Sequence, residues 1–366
     1  MSIVIFIIIL LVLVVVHEFG HFFSAKRFGI RVDEFGFGFP PKLFGKKIGE
    51  TEYSLNLLPI GGFVRIFGEN PDDENMNGPD ASRSFVNKAK WKQAIVLLAG
   101  IFANLLLAWL LFSIGFIFGF PTSVGSEPAG YSITDAHLTV VSVLAKSPAE
   151  NAGLKTGDKI LSISSGKNST TYISTATVQS FVVNGAGQEI DIGYTRGQNP
   201  QMNIAKVVPV QNVKDNKLEI GISMDMVGTV KLPFFQALYE GMKLDWSTTK
   251  GTVVGLYTLI ASSLHGKGSF SDVAGPVGMV GIVGDAYKFG FVYLLSFAAL
   301  ISVNLAVINL VPFPALDGGR LLFLLIEKIK GSQLNPKVAN ALNTIGFCIL
   351  ILLMVVITYH DVVKLF

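Results

Sequence analysis

Of the five histidines in this 366-residue chain, two stand four apart in His17-Glu18-Phe19-Gly20-His21. Positions i and i+4 of a helix share a face, so both imidazoles can hold one cation while Glu18, one residue round, reaches toward it. The chemistry this pattern supports is hydrolysis, in which a metal activates water and a nearby carboxylate takes the proton. A catalytic metal of this kind wants three protein ligands and one open position. The third ligand is sought far along the chain, in Asn309-Leu-Val-Pro312-Phe-Pro314-Ala-Leu-Asp317-Gly318-Gly319-Arg320, where Asp317 is the candidate. Two imidazoles and a carboxylate suit zinc.

Each residue has a blander reading. His17, Glu18 and His21 could form a polar helix contact or a proton relay, and Asp317 could cap the helix that follows the prolines. The setting favours the metal. A carboxylate near the centre of a spanning helix costs about 2.5–3.5 kcal/mol on insertion scales, so such a residue is normally functional or paired. Asn309 is either a structural hydrogen bonder or a donor to a substrate carbonyl, and the second is preferred. His137, His265 and His360 lie in loops or at a segment end and are assigned no role. Cys348, the single cysteine, excludes an intrachain disulfide and reads as a small buried hydrophobe.

These residues must be carried by membrane-spanning helices. Half the chain is hydrophobic, 15% is charged, and the mean hydropathy is +0.53, well above a soluble globule. Spanning segments are expected at about 2–25, 94–120, 289–311 and 338–359, the first a retained helix rather than a secretory signal. The double proline should break the third segment and expose backbone at membrane depth. Lys26, Arg27 and Arg31, then Lys88, Lys90 and Lys92, then Arg320, Lys328, Lys330 and Lys337 flank the segments on one side, which the positive-inside rule makes cytoplasmic. Both chain ends then lie outside. Net charge is only +3 and no basic block or basic-aromatic stripe is present, so nucleic acid is set aside as a partner.

The expected fold class is α+β: four transmembrane helices around a zinc site, a membrane-associated β-hairpin region and one extracytoplasmic β domain. Residues 1–125 form the first membrane half, with a glycine-rich cytoplasmic-side hairpin region at 31–88 and a flexible acidic loop from Asn70 to Ser84. Residues 126–228, rich in Val, Ile, Thr, Ser and Gly, form the separate domain, with strands expected at Leu138–Leu144, Lys159–Ser164 and Glu189–Tyr194. Residues 229–366 hold an amphipathic segment at 233–262, expected along the membrane surface, and the second membrane half.

The His17–His21 motif and the N-x-x-P-x-P-x-x-D-G-G pattern of Asn309–Gly319 together resemble the site-2 protease family of intramembrane zinc metalloproteases, in its bacterial PDZ-bearing branch. Ser147-Pro-Ala-Glu-Asn-Ala-Gly153-Leu-Lys-Thr-Gly157-Asp158-Lys-Ile160 is similar to the signature of bacterial PDZ domains. The resemblance implies a zinc endopeptidase of the inner membrane, with His17, His21 and Asp317 on zinc and Glu18 as general base. It implies the second cut in regulated intramembrane proteolysis, for instance of anti-sigma factors or signal-peptide remnants. Its partners would be the lipid bilayer and single-span membrane proteins already trimmed by another protease. Two departures stand out: one PDZ-like domain where some relatives have two, and Ile101 where the family usually has proline near Asn104, which suggests a less kinked second segment. Asn104 itself reads as an interhelical hydrogen bonder. The rival from another class, a silent PDZ-bearing scaffold, would need lost ligands, yet all are present.

Overall fold

A computed structural model describes residues 1–70, 73–166, 168–185, 187–211, 217–265 and 275–363. Four of its helices are long and apolar enough to cross a membrane: α1 (Ser2–Arg27), α3 (Lys90–Phe118), α8 (Phe291–Leu310) and α10 (Pro336–Val363). The acidic stretch holds α2 (Asp73–Asn77). The sheet region between α3 and α8 is β3 (Phe120–Ser123), β4 (Thr134–Val143), α4 (Pro148–Asn151), β5 (Lys159–Ser165), β6 (Asn168–Thr170), α5 (Thr175–Asn184), β7 (Ile190–Arg196), β8 (Asn199–Val207), β9 (Val210–Gln211), β10 (Leu218–Glu219) and β11 (Ile222–Val230). It is followed by α6 (Phe234–Leu264) and α7 (Pro276–Phe289), while α9 (Asp317–Lys330) joins α8 to α10. Contacts divide the chain into one unit of Met1–Phe112, Gly241–Gly284 and Ser296–Phe366, and a second of Ser113–Glu240 and Asp285–Leu295.

In the first unit, α1 buries only Leu13, His17, His21, Ser24 and Ala25. That narrow inward stripe carries the metal motif on a helix whose Ile3, Val4, Ile8, Phe19 and Phe23 are exposed. Exposed apolar side chains in such numbers mark a surface made for lipid. Gly20 lets α1 approach α3, since a Cβ there would fall 2.3 Å from the Ala99 carbonyl oxygen. The second spanning helix runs unbroken through Ile101, as the missing proline suggests.

The glycine-rich region holds two long strands where short ones were expected, β1 (Val32–Ile48) and β2 (Thr51–Ile66). Their register doubles back. Residues 34–37 pair with Glu52–Leu55 on one flank and with Gly62–Arg65 on the other, while 42–48 pair with 51–56. Leu55 therefore sits inside the sheet, matched to both Phe37 and Phe44, and Gly62–Ile66 is an outer segment. The acidic loop expected from Asn70 to Ser84 instead contains α2 and a 3₁₀ turn at Ala81–Arg83, because Asn87 donates to the carbonyls of Met76 and Ala81, both at 2.9 Å, and pins that stretch. Residues 71–72 lie outside the described ones. Cys348, expected to be buried, is exposed on α10.

The helix after α8 begins where the prolines require, and its two glycines stand where the backbone packs closely. A Cβ on Gly318 would stand 2.3 Å from the carbonyl oxygens of Leu310 and Val311, and one on Gly319 would stand 2.2 Å from that of Phe313. The chain folds back on itself here, and Ala315 takes φ 75° to turn the corner.

The second unit is a seven-stranded sheet with the path β3-β11-β4-β5-β7-β8 and β6 on β5. Val140, Ile163, Ile190 and Ile192 are fully buried against Val178 and Val182 of α5. The three expected strands correspond to β4, β5 and β7. Ser147 caps α4 by accepting the Glu150 N–H, and Gly153 leaves it at φ 82°. Asp158, wholly buried, accepts the Lys155 N–H at 2.8 Å and two bonds from Arg196 at 2.7 Å. Arg196→Ala would strand that carboxylate and destabilise the sheet unit by about 3–5 kcal/mol. Hydrogen exchange in β5 and β7 reads the effect, and unchanged protection would contradict it.

Candidate active site

The structure brings His17, His21 and Asp317 together across 296 residues of separation from His21. His17 Nε2 and His21 Nε2 are 3.2 Å apart, and Asp317 Oδ2 lies 3.2 Å from the first and 3.3 Å from the second. Ligands at roughly 2.0–2.1 Å from a tetrahedral zinc stand about 3.3 Å from one another, so the triangle has the right edge on every side. Asp317 is the first residue of α9 and Leu316 its N-cap, so the capping alternative fails.

The hydrogen bonds behind the triangle decide which nitrogens face the metal. His21 Nδ1 lies 2.8 Å from the Val96 carbonyl oxygen, to which only an N–H can donate, leaving the Nε2 lone pair free. His17 Nδ1 lies 3.3 Å from the Asn104 side-chain nitrogen, while Asn104 Oδ1 is buried without a partner. Turning the amide over resolves both: Oδ1 accepts from His17 Nδ1–H, and the second Nε2 lone pair also turns inward. Two lone pairs and a carboxylate oxygen then converge with no hydrogen between them, an arrangement that a cation stabilises and that repels itself without one. Ser302 on α8 holds Asn104 in place by donating to its carbonyl oxygen at 2.8 Å. Gly100 completes the wall. A Cβ there would sit 2.4 Å from His21 Nε2 and 2.9 Å from His17 Cε1.

Glu18 and Asn309 complete the sequence-predicted set. Glu18 Oε2 accepts the Val64 N–H of β2 at 3.0 Å, and Asn309 places its side-chain nitrogen 3.5 Å from His17 Nε2 at the end of α8. Both line a cavity of about 300 Å³ with His17, His21, Asp317 and Arg320. Sequence reasoning missed Gly20, Gly100, Val64 and Glu69, and treated Arg320 only as a flanking charge. A small residue inside a spanning helix beside a polar motif was the available signal for the glycines. His137, expected in a loop, lies in β4 and contacts Asp135 at 3.0 Å, and His265 contacts its own helix.

The chain matches Peptidase family M50 over residues 5–353. It belongs to that family. A Clostridium perfringens protein provisionally named a zinc metalloprotease is 36% identical over 351 residues, covering 96% of this chain and 95% of the relative. The regulator of sigma-W protease RasP of Bacillus subtilis is 31% identical over 441 residues, covering 100% and 99%. A solved PDZ domain, from an SdrC-like protein of Listeria monocytogenes, aligns with 25% of this chain and 92% of its own at 23% identity and a TM-score of 0.21. The M50 chain is thus a multi-pass membrane protein and a zinc metalloprotease of the site-2 type. For this M50 site, Asn104→Ala is expected to weaken zinc binding by roughly 10–100-fold, the usual effect of losing a hydrogen-bond partner behind a ligand. Chelator competition measures it, and an unchanged affinity would remove Asn104 from the account.

Proposed function

We propose that this M50 peptidase cleaves single-span membrane proteins inside the bilayer, with His17, His21 and Asp317 holding zinc and Glu18 as general base. The observation that carries the reading is the triangle of three ligand atoms, each within 4.8 Å of the others, two of them on the largely apolar α1 and the third at the start of α9. Zinc, when bound, lowers the pKa of water from 15.7 to about 7 and polarises a carbonyl. Glu18 takes the proton from the attacking water and hands it to the leaving amine as the peptide C–N bond breaks and the new C–O bond forms. Asn309, whose side-chain nitrogen lies 3.5 Å from His17 Nε2, donates its amide toward the scissile carbonyl.

A helical substrate hides its peptide bonds and must be unwound before it can be cut. The outer segment Gly62–Ile66 offers an edge for an added strand beside Glu18. Leu55, inside the sheet, does not. Val64→Pro removes the one N–H that points from this edge to Glu18 and is expected to cut turnover of a reconstituted single-span substrate by roughly 100-fold. Wild-type rates in that variant would sink the strand-addition step.

The basic flanks support a cytoplasmic position for the α1–α3 and α8–α10 connections, with both termini and the sheet unit outside an inner membrane. In the sheet unit, a groove of about 990 Å³ runs between α5 and β11 past Leu144, Val178, Val182, Ile222 and Met224. It supports a PDZ-like role in recognising a chain terminus, or in admitting only substrates already trimmed outside. The RasP relative's name supports the second cut in regulated intramembrane proteolysis, with anti-sigma factors or signal-peptide remnants as substrates. Cleavage of a single-span test protein in zinc-loaded proteoliposomes, abolished by chelation and restored by zinc, is the expected result; cleavage that survives chelation would refute it.

A further inference from the structure

Arg320 is a charge in the cavity wall for which the hydrolysis derived above has no use. It lies three residues after Asp317, on the same side of α9 one turn later. Its guanidinium does not reach for solvent. Nη1 stands 2.6 Å from Glu69 Oε1 and 3.5 Å from the Glu69 carbonyl oxygen, and Nη2 donates to Asn70 Oδ1 at 3.3 Å. The two side chains of the ion pair are 22% and 24% exposed. The rigid fork of arginine makes this a grip of fixed geometry, which the single ammonium of lysine cannot reproduce.

What is gripped is the turn that ends β2. The Glu69 N–H donates to the carbonyl of Ile66, the last residue of that strand, at 3.2 Å. The outer segment Gly62–Ile66 is thus held at two points, by Glu18 on Val64 and by Arg320 on the turn beyond Ile66. Arg320 belongs to the helix that begins with the ligand Asp317, and α9 is itself tied to α3 by Lys90 and Glu327 at 2.5 Å. The guanidinium therefore ties the turn after the strand to the helix that opens with Asp317, beside the packing of Leu321 and Leu324 against the cluster that holds Ile66.

We propose that Arg320 is a positioning residue that fixes the register of substrate cleavage. This rests on the reading of Gly62–Ile66 as the edge that accepts the substrate strand. A strand advances about 3.3 Å per residue and presents the same face every second residue, so a slip that keeps the pairing moves the scissile bond by two residues, roughly 6.6 Å. With Glu69 held, one bond meets the zinc; with the grip released, neighbouring registers also reach it.

The test uses the full-length, zinc-loaded protein in proteoliposomes with a single-span substrate, and mass spectrometry to identify every product end. Wild type is expected to cut one dominant bond. Arg320→Ala and Glu69→Gln should cut that bond and others two residues away, with kcat/KM lowered by roughly 100-fold as for a misplacement of about 1 Å. Arg320→Lys should fall between, and zinc content should stay at the wild-type level in Glu69→Gln, which leaves α9 untouched. A single unshifted bond in Glu69→Gln overturns the proposal even if Arg320→Ala fails to fold. Products from several registers in the wild type would overturn it too. If the wild type shows no zinc-dependent cleavage, the peptidase geometry beneath the proposal fails first, and the two failures are told apart by that control.

Discussion

Glu18→Gln keeps its zinc and loses peptide cleavage by about 10²–10⁴-fold, the range that a positioned general base contributes. The substitution preserves shape and removes only the ability to take a proton. Glu18 is not one of the three atoms of the ligand triangle; its Oε2 is engaged by the Val64 N–H instead. Metal content should therefore be untouched, and this separates a base from a ligand. Single-turnover cleavage of a reconstituted substrate reads the rate, and atomic absorption of the same sample reads the metal. Undiminished turnover would remove Glu18 from the chemistry, and lost zinc would make it a ligand.

Asp317→Ala is expected to strip the zinc itself. Asp317 supplies the only negative charge of the triangle, and without it two neutral imidazoles remain, too few for a catalytic site. Affinity should fall by more than the roughly 10–100-fold associated with an outer hydrogen-bond partner, and cleavage should fall to background. Because Asp317 occupies the first turn of α9 without capping it, helix content should hold by circular dichroism. A variant that binds zinc as the wild type does would place the third ligand elsewhere.

The parts of the site read from the sequence were those whose residue types are costly in lipid. His17, Glu18 and His21 are polar groups in an apolar run and Asp317 follows another, and residues so placed are normally functional or paired. The four spanning helices were legible for the complementary reason, since length and apolar composition alone mark them. Where the reading fell short, tertiary closeness decided. Nothing in the local pattern says that Gly100 must be bare because His21 Nε2 would lie 2.4 Å from its Cβ, or that Gly318 and Gly319 serve a backbone folded onto Leu310 and Phe313. The hairpin region was read as short strands because glycines look like breaks. In the fold they accompany a strand that pairs on both flanks, which places Leu55 inside the sheet and leaves Gly62–Ile66 as an outer segment. Asn104 was read as an interhelical hydrogen bonder and it is one, between α3 and α1; what the local pattern does not tell is that its partner is the Nδ1 of His17, 87 residues away.

The most direct measurement is zinc-edge X-ray absorption on the purified full-length protein. A first shell of two imidazole nitrogens at about 2.0–2.1 Å, with carboxylate and water oxygens and no sulfur, is the expected spectrum. Asp317→Ala should erase it. A shell with a single imidazole, or a spectrum that Asp317→Ala leaves unchanged, would contradict a metal centre built from His17, His21 and Asp317.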